Sequence, residues 1–414
     1  MSSVAAGTAI DAAAIAEQFP ILQRVIDGKR IVYLDSGATA QKPERVIQAI
    51  EESFRLHNAN IHRGVYTLAQ EATDRFEGAR ATIARFIGSR RAETIFTKNV
   101  TEAINLVAYS WGRANVRAGD TIVITPMEHH ANVVPWQQLC KEVGARLEYV
   151  ELTEDHRLDL DSLDRLLKLE PKLVAVAHVS NVLGTVNPVE EIVRRAHAAG
   201  AVVLVDGAQA VPQRPVDVAA IGADFYGFTG HKVYGPTGVG VLHGRRELLE
   251  AMEPFLTGGD MIGTVDFQTA TWKELPWKFE AGTSPYVEAT ALGTAVEWLD
   301  ELGVDAVQAH EAEITRYALE QLAEVPGLTI YGPAAEHRGA LVSFALDGVH
   351  PHDVADILGR SQICVRAGHH CAQPLMRRLG VPATTRASFA AHTTREDVDA
   401  LVAGLADVRR IFQL

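Results

Sequence analysis

Up to about residue 285, short apolar runs alternate with segments of helical period. Residues 31–34 (IVYL), 94–97 (TIFT), 121–125 (TIVIT), 146–150 (RLEYV), 173–178 (LVAVAH) and 201–205 (AVVLV) read as strands. Several are continuously apolar, as expected when helices cover both faces of a sheet. Helix-like stretches lie between them, near 44–57, 68–87, 101–114, 133–143, 159–168 and 189–199. This alternation predicts a mostly parallel α/β sheet with crossover helices. Beyond 285 the texture changes. Long amphipathic helices over about 288–325 precede strands near 328–331 and 340–346, a helix near 352–359, strands near 362–366 and 384–389, and a terminal helix from 395. The pattern predicts a large α/β domain over 30–295 and a smaller α+β domain made of residues 1–29 and 296–414. A site is expected between the two.

Composition narrows the class. The 414 residues carry a net charge of −13, which excludes non-specific nucleic-acid binding, a function that requires Lys and Arg against phosphate. No uncharged apolar run reaches 18 residues, so no membrane-spanning helix is expected. The first 19 residues lack a basic start and carry Asp11 and Glu17, unlike a secretory signal. Three cysteines, at 140, 364 and 371, make no disulfide framework and point to a reducing, cytoplasmic setting.

Four segments carry candidate chemistry. Asp206 ends an apolar strand, where open α/β sheets place ligands, although an Asp there also serves as a helix cap. Lys232 follows 26 residues later in Thr229-Gly230-His231-Lys232, after a strand-like run Ala223–Phe228. A carboxylate at a strand end and a lysine on a tight turn suit pyridoxal phosphate. The lysine bonds the aldehyde, and the carboxylate keeps the ring nitrogen protonated. Thr101, at the start of a helix after Asn99, offers a hydroxyl and free amides to a phosphate; Thr229 and His231 are further candidates. The Gly-rich run 235–240 lacks the Gly-Lys-Ser/Thr of a nucleotide-binding loop.

His129 and His130 follow the strand 121–125. From the residues alone they read as a surface loop; among functional roles a stacking surface fits better than a metal site, because Glu128-His129-His130 lacks zinc-ligand spacing. Finally, Cys371 lies in Arg366-Ala367-Gly368-His369-His370-Cys371, an electropositive loop that favours thiolate. Cys140 and Cys364 sit in apolar patterns and read as inert. Arg366 and Arg386 are suited to a substrate carboxylate and equally to structural ion pairs.

These residues and their order resemble the SufS-type, group II cysteine desulfurases of the class V aminotransferase family, with the fold-type I architecture of pyridoxal-phosphate enzymes. The shared motifs run from Tyr33-Leu34-Asp35-Ser36-Gly37-Ala38 through Asn60-Ile61-His62-Arg63-Gly64, Glu128-His129-His130-Ala131-Asn132, His178-Val179-Ser180-Asn181, Val205-Asp206-Gly207-Ala208-Gln209 and Gly230-His231-Lys232 to the Cys371 loop. The resemblance implies Lys232 as the Schiff-base lysine, Asp206 against the pyridine nitrogen, His129 stacked on the ring and Gln209 on the phenolic oxygen. It implies Thr101, Thr229 and His231 at the phosphate, with Thr283 reaching the phosphate of a neighbouring subunit in a homodimer. Asn181 and Arg386 would hold the L-cysteine carboxylate, with Ala38, His62 and Arg366 nearby. Cys371 would accept the sulfur and pass it to an acceptor protein for iron–sulfur cluster assembly. His352 matches a position that takes over a zinc ligand from SufU-type acceptors, which favours a SufU-like partner over a SufE-like one. Selenocysteine lyase or cysteine sulfinate desulfinase activity is the enzymatic alternative, and a sulfur-assembly scaffold the non-enzymatic one.

Overall fold

The computed structural model describes residues 10–414. Residues 1–9, which open both the stretch unlike a secretory signal and the 1–29 segment, lie outside the described residues. A seven-stranded sheet forms the centre, in the order Thr94–Thr97, Gly240–Gly244, Phe225–Thr229, Val202–Asp206, Leu173–Ala177, Thr121–Ile124, Arg146–Tyr149. Only Gly240–Gly244 runs antiparallel to its neighbours. Successive side chains enter different cores. Val203 and Val205 pack with Val123, Val174 and Val176 on one face, whereas Leu204 packs with Ile122, Ile124, Leu173 and Ala175 on the other. The continuous apolar runs therefore reflect burial on both faces. Each such Val or Leu contributes about 1.5–3 kcal/mol by leaving water.

The expected strands and helices of this region are present, with two differences. The helix expected over 101–114 is Val100–Leu106 followed by a π-helical segment, Val107–Gly112, and a last turn, Arg113–Asn115. The strand Gly240–Gly244 was hidden by the glycine-rich run before it. A Cβ on Gly240 would lie 2.5 Å from Asn99 Cα, so glycine lets this strand pass beside the Asn99 turn.

A four-stranded antiparallel sheet, Leu328–Tyr331, Leu341–Leu346, Thr384–Ser388 and Arg366–Gly368 in that order, forms the second body with helices Pro351–Arg360 and Arg395–Phe412. Thr394 and Asp397 close a capping box at the start of the terminal helix. The single strand expected at 362–366 is two pieces. Ile363–Cys364 pairs in parallel with Val32–Tyr33, and Arg366–Gly368 pairs with Thr384–Ser388.

Packing does not follow a boundary at residue 30. Ile15 and Phe19 join the large core, where Phe19 meets Trp298 edge-on at 5.6 Å, whereas Val32 and Leu34 join Ile314, Phe344 and Leu401 in the smaller one. The chain thus enters the smaller body between Phe19 and Val32 and returns to the large one between Leu34 and Ala40, across Asp35. It crosses again around Cys371, because Ala372, Leu375 and Met376 are buried in the large core.

Candidate active site

The carboxyl ends of the parallel strands open into one cavity of about 520 Å³ between the two bodies. It is lined by Lys232, Asp206, His129, Gln209, Thr101, Thr229 and His231 from the large body. Arg366, Cys371, Arg386 and His352 face it from the other side, and Ala38 and Asn181 complete the lining. Thirteen of the fifteen residues singled out from the sequence therefore converge, from segments up to about 350 positions apart.

Asp206 is buried, its Oδ1 accepting from Ala208 N at 2.9 Å, and burial raises its pKa. A cation in the cavity would restore its charged form. Lys232 is pushed down to about 8 by burial and by Arg386, against the attraction of Asp206, so the neutral amine is accessible near physiological pH. His129 accepts from Ala131 N at Nδ1 (3.1 Å), which leaves its proton on Nε2; burial and Lys232 lower its pKa to about 4. It is a neutral, oriented ring.

Glu128 carries a role that the sequence pattern did not assign. It is fully buried and accepts from Thr125 Oγ1 (2.6 Å), Asn132 Nδ2 (2.6 Å) and Ala177 N (3.0 Å), fixing the His129 turn against its neighbouring strand. Burial pushes its pKa up to about 8. Adjacency to His129 was the available signal.

The three cysteines divide. Cys140 is buried and its thiol is pushed up to about 11; Cys364 is half-buried and also raised by burial; Cys371 is exposed. The Cys371 turn is held firmly. His130 N donates to Cys371 O at 2.6 Å, Cys371 N donates to His369 Nδ1 at 3.1 Å, and Asn181 Nδ2 donates to His370 O at 2.7 Å. His370 and Cys371 both have positive φ, 51° and 55°, a strained conformation that the surrounding bonds maintain.

The arginines differ in the same way. Arg366 forms a two-pronged pair with Asp35 (Nη2–Oδ2 2.7 Å, Nε–Oδ2 3.1 Å) and is half-exposed. Arg386 is buried, donates to Asn181 O at 2.8 Å, reaches Asp35 only at 3.5 Å, and its Nε has no partner. A buried, under-compensated guanidinium invites an anion. Asp35 was missed as an anchor, although it stands in the Tyr33–Ala38 motif.

Two expected site residues are elsewhere. His62 borders a separate open pocket with Lys273, Glu274 and Trp277, its ring 5.7 Å from Phe76 and 6.1 Å from Trp277. Thr283 is exposed and does not line the cavity. His62 is therefore not near Arg366 within one chain. His62, 3.9 Å from Glu77, adjoins a buried ion-pair cluster: Arg80 holds Glu280 at 2.6 and 2.8 Å and Glu77 at 2.9 Å, and Phe96 N donates to Glu280. Glu280→Gln is expected to cost about 3–5 kcal/mol in urea unfolding, because it leaves the Arg80 cation under-paired. A loss below about 1 kcal/mol would show the cluster contributes little.

The residues fit pyridoxal phosphate on structural grounds. Buried Gln209 Oε1 and Thr229 Oγ1 have no partner, a raised carboxyl and a lowered lysine face one cavity, and a neutral imidazole flanks them. The sequence matches the aminotransferase class-V model over residues 32–401. The chain belongs to the aminotransferase class-V family. Members of this family work with pyridoxal phosphate. A probable cysteine desulfurase of Halalkalibacterium halodurans is 52% identical over 399 residues, covering 96% of this chain and 98% of that protein. Among solved structures, the cysteine desulfurase of Thermococcus onnurineus superposes with a TM-score of 0.93 at 37% identity, covering 98% of this chain and 99% of that one. The cysteine desulfurase CsdA of Escherichia coli gives 0.91 at 38% identity, covering 98% and 100%. The α/β architecture is thus that of pyridoxal-phosphate cysteine desulfurases. Among the described residues no helix is long and apolar enough to cross a membrane, and no cluster of three His, Cys, Asp or Glu residues is placed for a metal.

Proposed function

We propose that this class V enzyme is a SufS-type cysteine desulfurase acting in the cytoplasm, converting L-cysteine to L-alanine with a persulfide on Cys371. The observation that carries the reading is the exposed Cys371 facing Lys232 and Asp206 across one cavity. A transaminase has no use for a thiol there. When bound, pyridoxal phosphate supplies an electron sink for negative charge at the substrate Cα. Asp206 would hold its ring nitrogen, His129 its face and Gln209 its phenolic oxygen, with Thr101, Thr229 and His231 at the phosphate.

Arg386 binds the substrate carboxylate, with its free Nε available. The Asn181 amide, already donating to His370 O, contributes by holding the Cys371 turn. Lys232 Nζ, as the neutral amine, removes the Cα proton. Cys371 Sγ, as thiolate, attacks the substrate sulfur; the S–S bond forms as the Cβ–S bond breaks, and protonation of the carbon fragment yields alanine. Cysteine and one thiol thus become alanine and one persulfide, with atoms balanced.

A homodimer is supported by Thr283 and His62. Both are exposed or peripheral in their own chain, consistent with service to a neighbour's cavity. The acceptor would approach the cavity mouth, where His352 is exposed and lines the same cavity as Cys371. A zinc-bearing SufU-type acceptor is favoured over a SufE-type one, with iron–sulfur assembly as destination. Alanine release from L-cysteine, measured with each acceptor, tests this. The expected result is strong stimulation by the SufU-type protein, lost in His352→Ala while basal turnover persists. Unchanged stimulation in His352→Ala would remove that partner assignment.

A further inference from the structure

Lys42 is half-buried without a compensating carboxylate. Burial alone lowers its pKa, to about 8. Its Nζ donates only to backbone carbonyls, those of Ala40 and of His231, the latter at 3.0 Å. The same His231 oxygen accepts from Ala40 N at 3.0 Å and from Thr39 Oγ1 at 3.2 Å. Three donors from residues 39–42 thus converge on the carbonyl of the peptide that joins His231 to Lys232. The far side of this turn is tied as well. Gly230 N donates to Val239 O at 2.9 Å, and Gly235 N to Gly230 O at 3.0 Å.

Burying an ammonium costs free energy unless charge-assisted hydrogen bonds offset it. Here one of those bonds goes to the peptide group beside the catalytic lysine and the other to Ala40 of the same segment. The strap that carries them serves the rest of the cavity too. Its Asp35 pairs with Arg366 and Arg386, and its Gly37 O accepts from Gln209 Nε2 at 2.7 Å.

We infer that Lys42, with Thr39, is a positioning residue that clamps the His231–Lys232 peptide and so fixes where the Lys232 amine stands in the cavity. The inference rests on the proposed role of Lys232. Misplacing a reacting group by about 1 Å costs on the order of 10²-fold in rate, so loss of the clamp should fall on chemistry and not on substrate capture by Arg386.

The test compares the wild type, K42M and T39V as full-length protein. Apoprotein is mixed with pyridoxal phosphate, and uptake is followed by absorbance. Borohydride reduction and mass spectrometry then give the fraction fixed on Lys232. Expected for K42M is markedly slower fixation on Lys232, with kcat for alanine release reduced about 10²-fold and KM for L-cysteine within about threefold. T39V, which removes one donor and no charge, should show the same pattern more weakly. Wild-type fixation and kcat in both variants would overturn the clamp; if K42M does not fold, T39V alone decides. A wild type that fixes the cofactor but makes no alanine refutes the desulfurase reading instead, leaving the fixation comparison to judge Lys42.

Discussion

Cys371→Ser is expected to abolish persulfide formation and alanine release, on the order of 10⁴-fold or more, the scale for removing a covalent nucleophile. Serine keeps the left-handed turn and its hydrogen bonds to His369 and His130, so the cavity should still take up pyridoxal phosphate at the wild-type rate. The companion variants sharpen this. Cys140→Ser and Cys364→Ser should retain persulfide chemistry, because burial holds both thiols protonated and away from the cavity lining. Alanine release with coupled persulfide counting checks all three. Turnover surviving in Cys371→Ser would mean that sulfur leaves by a route without this thiol.

The second large effect is expected at Lys232. Lys232→Ala removes the amine that takes the Cα proton, so alanine release should fall to background and borohydride should no longer fix the cofactor to the chain. Stability of the apoprotein offers an independent readout. The folded-state pKa of Lys232 is lowered to about 8 from the usual 10.5 of a lysine, so between those values the unfolded chain binds more protons. Stability therefore rises as pH increases from about 8 to 10.5, and the Lys232→Ala variant should lose that share of the rise. Lys42, lowered similarly, keeps its own share. A Lys232→Ala apoprotein with an unchanged pH slope in urea unfolding would show that the amine is not desolvated as described.

How much of this was visible in the chain depends on what the signal needed. The strands ending at Asp206 and at Ala177 were legible because burial on both faces leaves an unbroken apolar run. The Lys232 turn was legible because a strand-like run delivers it. Gly240–Gly244 was not, since the contact that demands glycine, Asn99, is far away in sequence. Arg366 and Arg386 were indistinguishable by residue type. Their difference is geometric, set by how each meets Asp35. The side on which Phe19 packs could not be read from a short N-terminal helix, because its partners Tyr234 and Trp298 lie more than 200 positions away in sequence. His62 matched a motif, yet its chain directs it to the pocket beside Trp277, and sequence order carries no information on which subunit's cavity it serves. Lys42 left no pattern at all: its partners are carbonyl oxygens.

The central claim is that sulfur passes through Cys371. The most direct test is mass spectrometry of the cysteine-bearing peptides after a single turnover of L-cysteine, with thiols trapped at once and alanine counted in parallel. The account predicts one added sulfur atom on the Cys371 peptide for each alanine, with the Cys140 and Cys364 peptides unchanged. Alanine formed with no sulfur on Cys371, or sulfur found on Cys364 instead, would contradict it.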